Sequence, residues 1–565
     1  MQFRLLIKYA VHFVLFSYLF VVTYLILKFT KQTYGVNDDV IIQSWLSGSY
    51  TGNPELMIRG SATPKMLFGL IVSNLYKIAP SINWYSIVIL CATLISWYLI
   101  GLCIVKKQQI LITVFYVLIS FIYLLWFIPS PTYTASAILL TFSSLIFLMY
   151  KIKTKLIFVF FISLLFSFAY LMRPESFFFA SAVCAPAFFY FVWSKLKKNN
   201  KKIILFILFT LGIIVVDYSF ETYFYKNNTS WSEYKTFENL RYQIQANNPE
   251  KLLLSDPLSF GWTFEDAKLF ENYITIDKNV FNNDKYLNVL NNVPKNTIES
   301  IWTFFIKGHE QLINSDVNWE WFRLASLIPL SFSFFLFLSW PRIKKFLLIS
   351  TSSYAIGYFV MIYVATFLRQ PERVQVSAIF LAILVPLLSF VVIEAETGNQ
   401  KSKFNAISIL SVLIIVLIFN QVYSQAKYLD KKYSGANNVF WINQVEFLSK
   451  FPKESIFIGN ASMVRNNWIN PYKMSNFEVE NQILTLGWHN FSPHWDKRAK
   501  NLGLNPNEIF KDVITKNNVY WLSDPVTIEF VTSFLISNNY ISSKPILVDK
   551  IDFVNDEYGV WKFSK

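Results

Sequence analysis

Residues 177–222 read FFFASAVCAPAFFYFVWSKLKKNNKKIILFILFTLGIIVVDYSFET. Two apolar runs, 177–194 and 203–222, flank a loop carrying Lys195, Lys197, Lys198, Lys201 and Lys202. At 1.5 Å per helical residue each run is about long enough to cross the hydrocarbon core of a bilayer. Five lysines do not sit in lipid, so the stretch reads as two membrane helices joined on the positive side of the membrane. Working outward, comparable runs recur near 9–29, 82–105, 108–128, 133–150, 156–172, 323–339, 346–366, 375–393 and 404–423, about eleven spans in all. The composition agrees: 54% of the 565 residues are hydrophobic and 18% aromatic, with mean hydropathy +0.38, which excludes an ordinary soluble protein. The first run is too long for a signal peptide and lacks a small-residue cleavage site.

Charge sets the orientation. Arg4 and Lys8, Lys106 and Lys107, Lys151, Lys153 and Lys155, the five lysines of 195–202, Arg342, Lys344 and Lys345, and Lys401 and Lys403 all fall in alternate loops. Only Glu394 and Glu396 oppose them, so these loops carry the chain's whole net charge of +15. The positive-inside rule places the N-terminus in the cytoplasm and the C-terminus outside a multi-pass cell-membrane protein. The basic balance is thus a topology signal, and no nucleic-acid partner is expected. Three large pieces lie outside: residues 30–81, residues 223–322 and the tail. The expected division is a membrane domain over 1–423 and an extracytoplasmic domain over 424–565. Cys91, Cys103 and Cys184 all fall in spans, so no disulfide staples the outer pieces. No zinc spacing, Walker motif or Gly-rich dinucleotide loop is present.

The tail alternates strand-like and helix-like segments. Ser455–Ile458, Val519–Leu522, Pro545–Val548 and Gly559–Phe563 are expected as strands, and Asn437–Lys450, Pro506–Lys516 and Thr527–Ser537 as helices, which together make a small α/β domain. In loop 30–81 a helix is expected from Asp39 to Ser47, ended by Gly48-Ser49-Tyr50-Thr51-Gly52-Asn53-Pro54. A second apolar helix over 65–79 carries Lys at both ends and is expected to lie along the outer interface.

Asn37-Asp38-Asp39 stands just beyond the first span. Two adjacent carboxylates repel each other, and solubility asks for no such pair; a site that takes a proton from a hydroxyl does. The plain alternative is a turn that opens the following helix. Two very short outer turns share another pattern, Arg173-Pro174-Glu175 and Arg369-Gln370-Pro371-Glu372-Arg373. Arginine on an outer turn runs against the positive-inside bias, and its planar fork suits phosphate oxygens. The alternative is local pairing of Arg173 with Glu175 and of Arg369 with Glu372. ATP and nucleotide sugars are cytoplasmic, so a group donor on the outer face must arrive attached to lipid. His309, at the membrane edge of the middle loop, is able to contact a phosphate or a sugar hydroxyl.

These features resemble the GT-C superfamily of membrane glycosyltransferases, which use polyprenyl-phosphate sugars. The resemblance rests on Asn37-Asp38-Asp39, on residues 47–54, on Leu75-Tyr76 and Trp84-Tyr85, and on Phe237-Glu238-Asn239-Leu240-Arg241 in the middle loop. It covers roughly residues 1–425 and implies a GT-C-like fold and sugar transfer. It implies Asp38 or Asp39 as the catalytic base, with Arg173, Arg369 and Arg373 gripping the donor phosphate. Arg59, Glu175 and His309 follow as second-rank substrate contacts. The implied partners are a polyprenyl-phosphate-linked sugar, a surface glycan or teichoic-acid-like acceptor, and the bilayer. No second acidic triplet of the metal-dependent kind is visible; no cofactor is expected, and a divalent metal stays open. The competing readings are a polysaccharide polymerase or ligase, a lipid-glycan flippase or transporter, and a non-catalytic assembly protein.

Overall fold

The computed structural model describes residues 2–34, 37–56, 64–104, 110–151, 155–246, 250–292, 306, 309–310, 340–367, 372–397, 450–460, 470–474, 482–551 and 558–564. The spans expected at 323–339 and 404–423, the helix expected over Asn437–Lys450 except for Lys450 itself, and the domain boundary at 423/424 lie outside these residues.

The first half of the chain is helical: α1 (Gln2–Phe29), α2 (Asn37–Ser47), α3 (Met66–Ile78), α4 (Trp84–Ile104), α5 (Ile110–Phe127), α6 (Tyr133–Lys151), α7 (Leu156–Met172) and α8 (Pro174–Asn227). The middle loop adds α9 (Thr229–Ala246), α10 (Glu250–Ser255), α11 (Phe264–Glu271) and α12 (Asn283–Asn292). Two more apolar helices follow, α13 (Trp340–Phe367) and α14 (Glu372–Thr397). Among the described residues six segments are long and apolar enough to cross a membrane: Ala10–Phe29, Trp84–Ile104, Tyr133–Tyr150, Pro174–Ser194, Lys201–Asn227 and Lys344–Val364.

Packing follows side-chain size. The span in α6 is 94% buried, whereas Lys201–Asn227 is only 22% buried. Helix α6 carries Ala135, Ser136, Ala137, Thr141, Ser143 and Ser144, all fully buried or nearly so. Small residues let neighbouring helices approach closely, which matters in lipid because water drives no association there. Helices α4, α7, α8 and α14 accordingly all pack on α6, and Ser136 shares a 2.8 Å hydrogen bond with Thr93 of α4. The outward faces of α1 and α8 carry large apolar and aromatic side chains such as Phe13, Phe16, Phe20, Phe189, Ile204 and Leu208, as a lipid-facing surface requires.

Helix α8 is not one straight rod. Helical backbone continues through the lysine loop, but both ends of α8 meet α3. The Lys65 amide donates to the Leu171 carbonyl at 2.7 Å, one turn before α8 begins. The Leu67 amide donates to Asp217 Oδ1 at 3.2 Å. A straight helix from 174 to 217 would separate these points by roughly 65 Å. The chain therefore reverses within α8, giving the two spans that the sequence predicts.

The tail forms a five-stranded mixed sheet ordered β2-β1-β3-β5-β4. Its strands are β1 (Ile456–Asn460), β2 (Ile483–Leu486), β3 (Val519–Ser523), β4 (Ile546–Ile551) and β5 (Tyr558–Lys562). Strand β1 pairs in parallel with β2 and β3, while β5 runs antiparallel to β3 and β4. Its helices are α15 (Pro493–Asn501), α16 (Ile509–Thr515) and α17 (Pro525–Ser537). Ser492 and Asp524 cap α15 and α17 by accepting from backbone amides three residues on, with proline at the first helical position of each.

Candidate functional site

Helix α2 is the short element that carries the acidic pair. Val40, Ile41, Ile42, Trp45 and Leu46 are all fully buried, so α2 is packed on every side. Its end is fixed by Gly48, which has φ +82° and whose missing Cβ would fall 2.4 Å from the Asn53 carbonyl carbon. The Tyr50 amide returns to the Ser44 carbonyl at 3.1 Å, and the Glu55 amide to the Trp45 carbonyl at 3.0 Å. These bonds satisfy carbonyls that a helix end leaves open. The turn chemistry predicted for 48–54 thus anchors the acidic pair from below.

Asp38 and Asp39 both stand in the first turn of α2, with opposite environments. Asp39 is fully buried, and the Tyr85 hydroxyl donates to its Oδ1 at 2.5 Å. Tyr85 is held in turn, because its amide donates to the Tyr76 hydroxyl at 3.2 Å. Tyr76 donates to Asn83 Oδ1 at 2.5 Å, Asn83 Nδ2 donates to the Tyr34 hydroxyl at 3.0 Å, and Tyr34 meets Ser86 at 2.8 Å. All are buried, so the charge-assisted Tyr85–Asp39 bond replaces water inside a rigid polar network.

Asp38 is half-buried and faces the tail. The Trp488 indole Nε1 donates to its Oδ1 at 3.0 Å across 450 residues of sequence. Trp488 sits in a cluster centred on Trp45, whose ring lies 5.5 Å from Trp488 and 4.6 Å from His494. His494 also meets Trp231 of α9 at 4.7 Å, and its Nε2 shares a 3.1 Å bond with the Leu56 carbonyl. Lys497 pairs with Glu55 at 2.7 Å, and Tyr472 donates to the Ile128 carbonyl at 2.9 Å. The tail is therefore seated on the acidic loop. Burial in this apolar cluster, the main cause, lowers the His494 pKa to about 4, although the Leu56 carbonyl and Glu55 favour the proton.

Arg173 stands between α7 and α8, nearly buried. Its Nη1 donates to the Thr134 hydroxyl, and its guanidinium lies 5.2 Å from the Tyr133 ring centre. The local partner Glu175, half-exposed, approaches Arg173 Nε at 3.6 Å; that is ion-pair range but too long for a good hydrogen bond. His309 Nδ1 shares a 2.5 Å hydrogen bond with Tyr358 of α13. Arg59 and Arg369 lie outside the described residues; Arg373 is in the first turn of α14, but its side chain is not among those described.

The middle-loop motif has a different character. Arg241 and Glu238 form a 2.6 Å ion pair one helical turn apart in α9, both essentially inaccessible. Near α3, Glu221 is clamped between Lys65 at 3.0 Å and Lys235 at 3.2 Å. Glu221 thus ties the start of α3 and α9 to α8, while the Glu238–Arg241 pair lies within α9. Among the described residues no three His, Cys, Asp or Glu side chains gather as metal ligands would. Sequence reasoning missed Trp488, Tyr133 and Thr134. The first is a tail residue with no local signal; the other two look like ordinary span residues.

No protein-family model matches the chain, and no curated protein sequence matches it. Among solved structures, the crystal structure of ArnT from Cupriavidus metallidurans bound to undecaprenyl phosphate is similar over 97% of both chains, at 10% identity and a TM-score of 0.37. A likeness of that strength assigns neither family nor activity.

Proposed function

We propose that the chain is an integral membrane glycosyltransferase of the GT-C type, moving a sugar from a polyprenyl-phosphate donor to a surface glycan on the outer face. The observation that carries this reading is the division of labour in the acidic pair: Asp39 is buried and bonded to Tyr85, while Asp38 is only half-buried and is oriented by Trp488. Asp38 is then the base. It accepts the proton of the acceptor hydroxyl as that oxygen attacks C1 of the donor sugar. The new O–C1 bond forms as the bond from C1 to the phosphate oxygen breaks, with inversion, and the lipid phosphate keeps the electron pair. Arg173, at the same outer edge, stabilises the growing phosphate charge, with Arg369 and Arg373 as its expected partners from the second outer turn. Asp39 and its tyrosines hold the helix that presents Asp38.

The test uses surface glycans from a deletion strain complemented with variants. Asp38→Asn should cut modification by about 10²–10⁴ in rate while the protein still accumulates in the membrane. Normal modification by Asp38→Asn would sink the transfer mechanism.

A further inference from the structure

The Trp488 indole reaches Asp38 from a turn of the tail, residues 487–491, that belongs to no helix or strand. The turn closes on itself: the Asn490 amide donates to the Gly487 carbonyl at 3.2 Å, and the Gly487 amide donates to Asn490 Oδ1 at 3.0 Å. Those bonds fix its shape but not its place. Its place comes from the middle loop. The Tyr234 hydroxyl donates to the Trp488 carbonyl at 3.1 Å, and Asn490 Nδ2 donates to the Tyr273 carbonyl at 3.0 Å. Both donor residues are buried, so each bond is costly to lose.

The backbone at this junction is unusual. Among the described residues three non-glycine residues have positive φ, and two of them stand here, Tyr273 at +59° and Phe491 at +63°. The third is Asn539, a residue type that visits this region readily. A left-handed backbone is unfavourable for an aromatic residue and persists where the surroundings hold it. Helix α9 supplies that hold. Phe237 meets the Phe491 ring at 5.4 Å, and the Arg241 guanidinium lies 5.7 Å from the Tyr273 ring centre. Tyr234, Phe237 and Arg241 are spaced i, i+3 and i+7, which puts them on one face of the helix, and all three are buried. The 2.6 Å bond to Glu238 keeps Arg241 in place. The motif from Phe237 to Arg241, to which the transfer chemistry gives no task, thus braces the turn that carries Trp488.

We infer that this face of α9 is a positioning element: through Tyr234, Phe237 and Arg241 it holds the turn 487–491 so that the Trp488 indole stays on Asp38. The inference rests on the transferase reading, in which Asp38 is the base, and adds a middle-loop determinant of that base. The carboxylate is then set by three pieces distant in sequence: its own helix α2, the tail turn and α9. A shift of the turn by about 1 Å would carry the 3.0 Å indole bond beyond hydrogen-bond range.

The experiment has a spectroscopic arm and a cellular arm. Full-length protein labelled with fluorotryptophan is studied by fluorine NMR in detergent micelles, and the Trp488 line is the one lost in Trp488→Phe. Asp38→Ala should shift that line, and Tyr234→Phe and Phe237→Leu should shift or broaden it. Tyr540→Phe is the control. Its hydroxyl also joins tail to middle loop, at 3.1 Å to Asp277, but not through the turn, so the Trp488 line should stay where it is. In a complemented deletion strain, Tyr234→Phe should lower surface-glycan modification per unit of membrane protein by about three- to tenfold. Added to Trp488→Phe it should cost nothing more, because its effect runs through the indole. A Trp488 line that ignores both α9 variants, losses that multiply in the double variant, or a Tyr540→Phe effect equal to that of Tyr234→Phe each overturns the proposal. If Asp38→Asn modifies surface glycans normally, the transferase reading falls, and the fluorine line alone decides whether α9 positions Trp488. If Asp38→Asn abolishes modification while the line ignores the α9 variants, the positioning inference alone falls.

Discussion

The acidic pair shows how far a single residue's role depends on contacts that sequence neighbours do not encode. Asp38 and Asp39 are adjacent and chemically identical, yet one is enclosed by Tyr85 and the other lies under Trp488. The pair was legible as a candidate site because no loop needs it. Its asymmetry was not, since it depends on a tryptophan 450 residues away. A hydrogen bond to a charged group contributes about 1.5–3 kcal/mol. Trp488→Phe keeps most of the ring packing and removes only the Nε1 donor to Asp38. Turnover should fall by about ten- to a hundredfold with little change in the amount of folded protein. Trp488→His, if its ring nitrogen reaches Asp38, should recover part of the loss. Equal turnover in wild type and Trp488→Phe, measured as glycan modified per unit of membrane protein, would show that the bond does not position the base.

Elements were legible where local chemistry is strong. Helices α2 and α3 were both expected, because the first ends in Gly48-rich turn chemistry and the second carries an apolar stripe bounded by Lys65 and Lys77. Strand β2 was missed: Ile483–Leu486 is only four residues, buried at each one, and has no alternation to read. Helix α15 was also missed. Its apolar face is sparse, although Ser492-Pro493 is a recognisable start. The lysine loop inside α8 marked the reversal correctly, while its helical backbone had no signal, since Asn199-Asn200 reads as a turn. The turn after α2 invites a test. Gly48→Ala puts a methyl group into the Asn53–Pro54 backbone from a left-handed φ. Relief requires moving the turn that fixes α2, so the change should cost about 1–3 kcal/mol and lower the melting midpoint. Gly52 also has positive φ but open space around it, so Gly52→Ala should cost clearly less. Equal midpoints for the two variants would remove the close approach at Gly48 as the reason for glycine there.

At the scale of the whole molecule, span count and charge bias predict which pieces share a face, but not which residues meet. The proximity of Arg173 to Tyr133, and of the tail to α2, comes from packing on α6 and from the aromatic cluster around Trp45. The orientation itself is testable in a background without Cys91, Cys103 and Cys184. An impermeant thiol reagent should reach Ser537→Cys in intact cells and miss Asn199→Cys; the reverse pattern would invert the topology. The docked tail should also be sensitive to acid. In the fold His494 has its pKa lowered to about 4, mainly by burial, against 6.5 for an ordinary histidine. As pH falls below about 6.5 the unfolded chain takes up this proton first, so the unfolded state gains stability relative to the fold. The contribution is fully present above pH ~6.5, declines as pH approaches 4, and amounts to about 3 kcal/mol over that window. Protonation places a charge beside the rings of Trp45 and Trp231, so tryptophan fluorescence reports the same event. In detergent, the wild-type melting midpoint should drop between pH 6.5 and 4.5 more steeply than that of His494→Gln, which can still donate to Leu56 but carries no titrating proton. Because other acids titrate in this range in both proteins, the difference between the two slopes is the measurement; parallel slopes would mean that His494 does not couple pH to the seating of the tail.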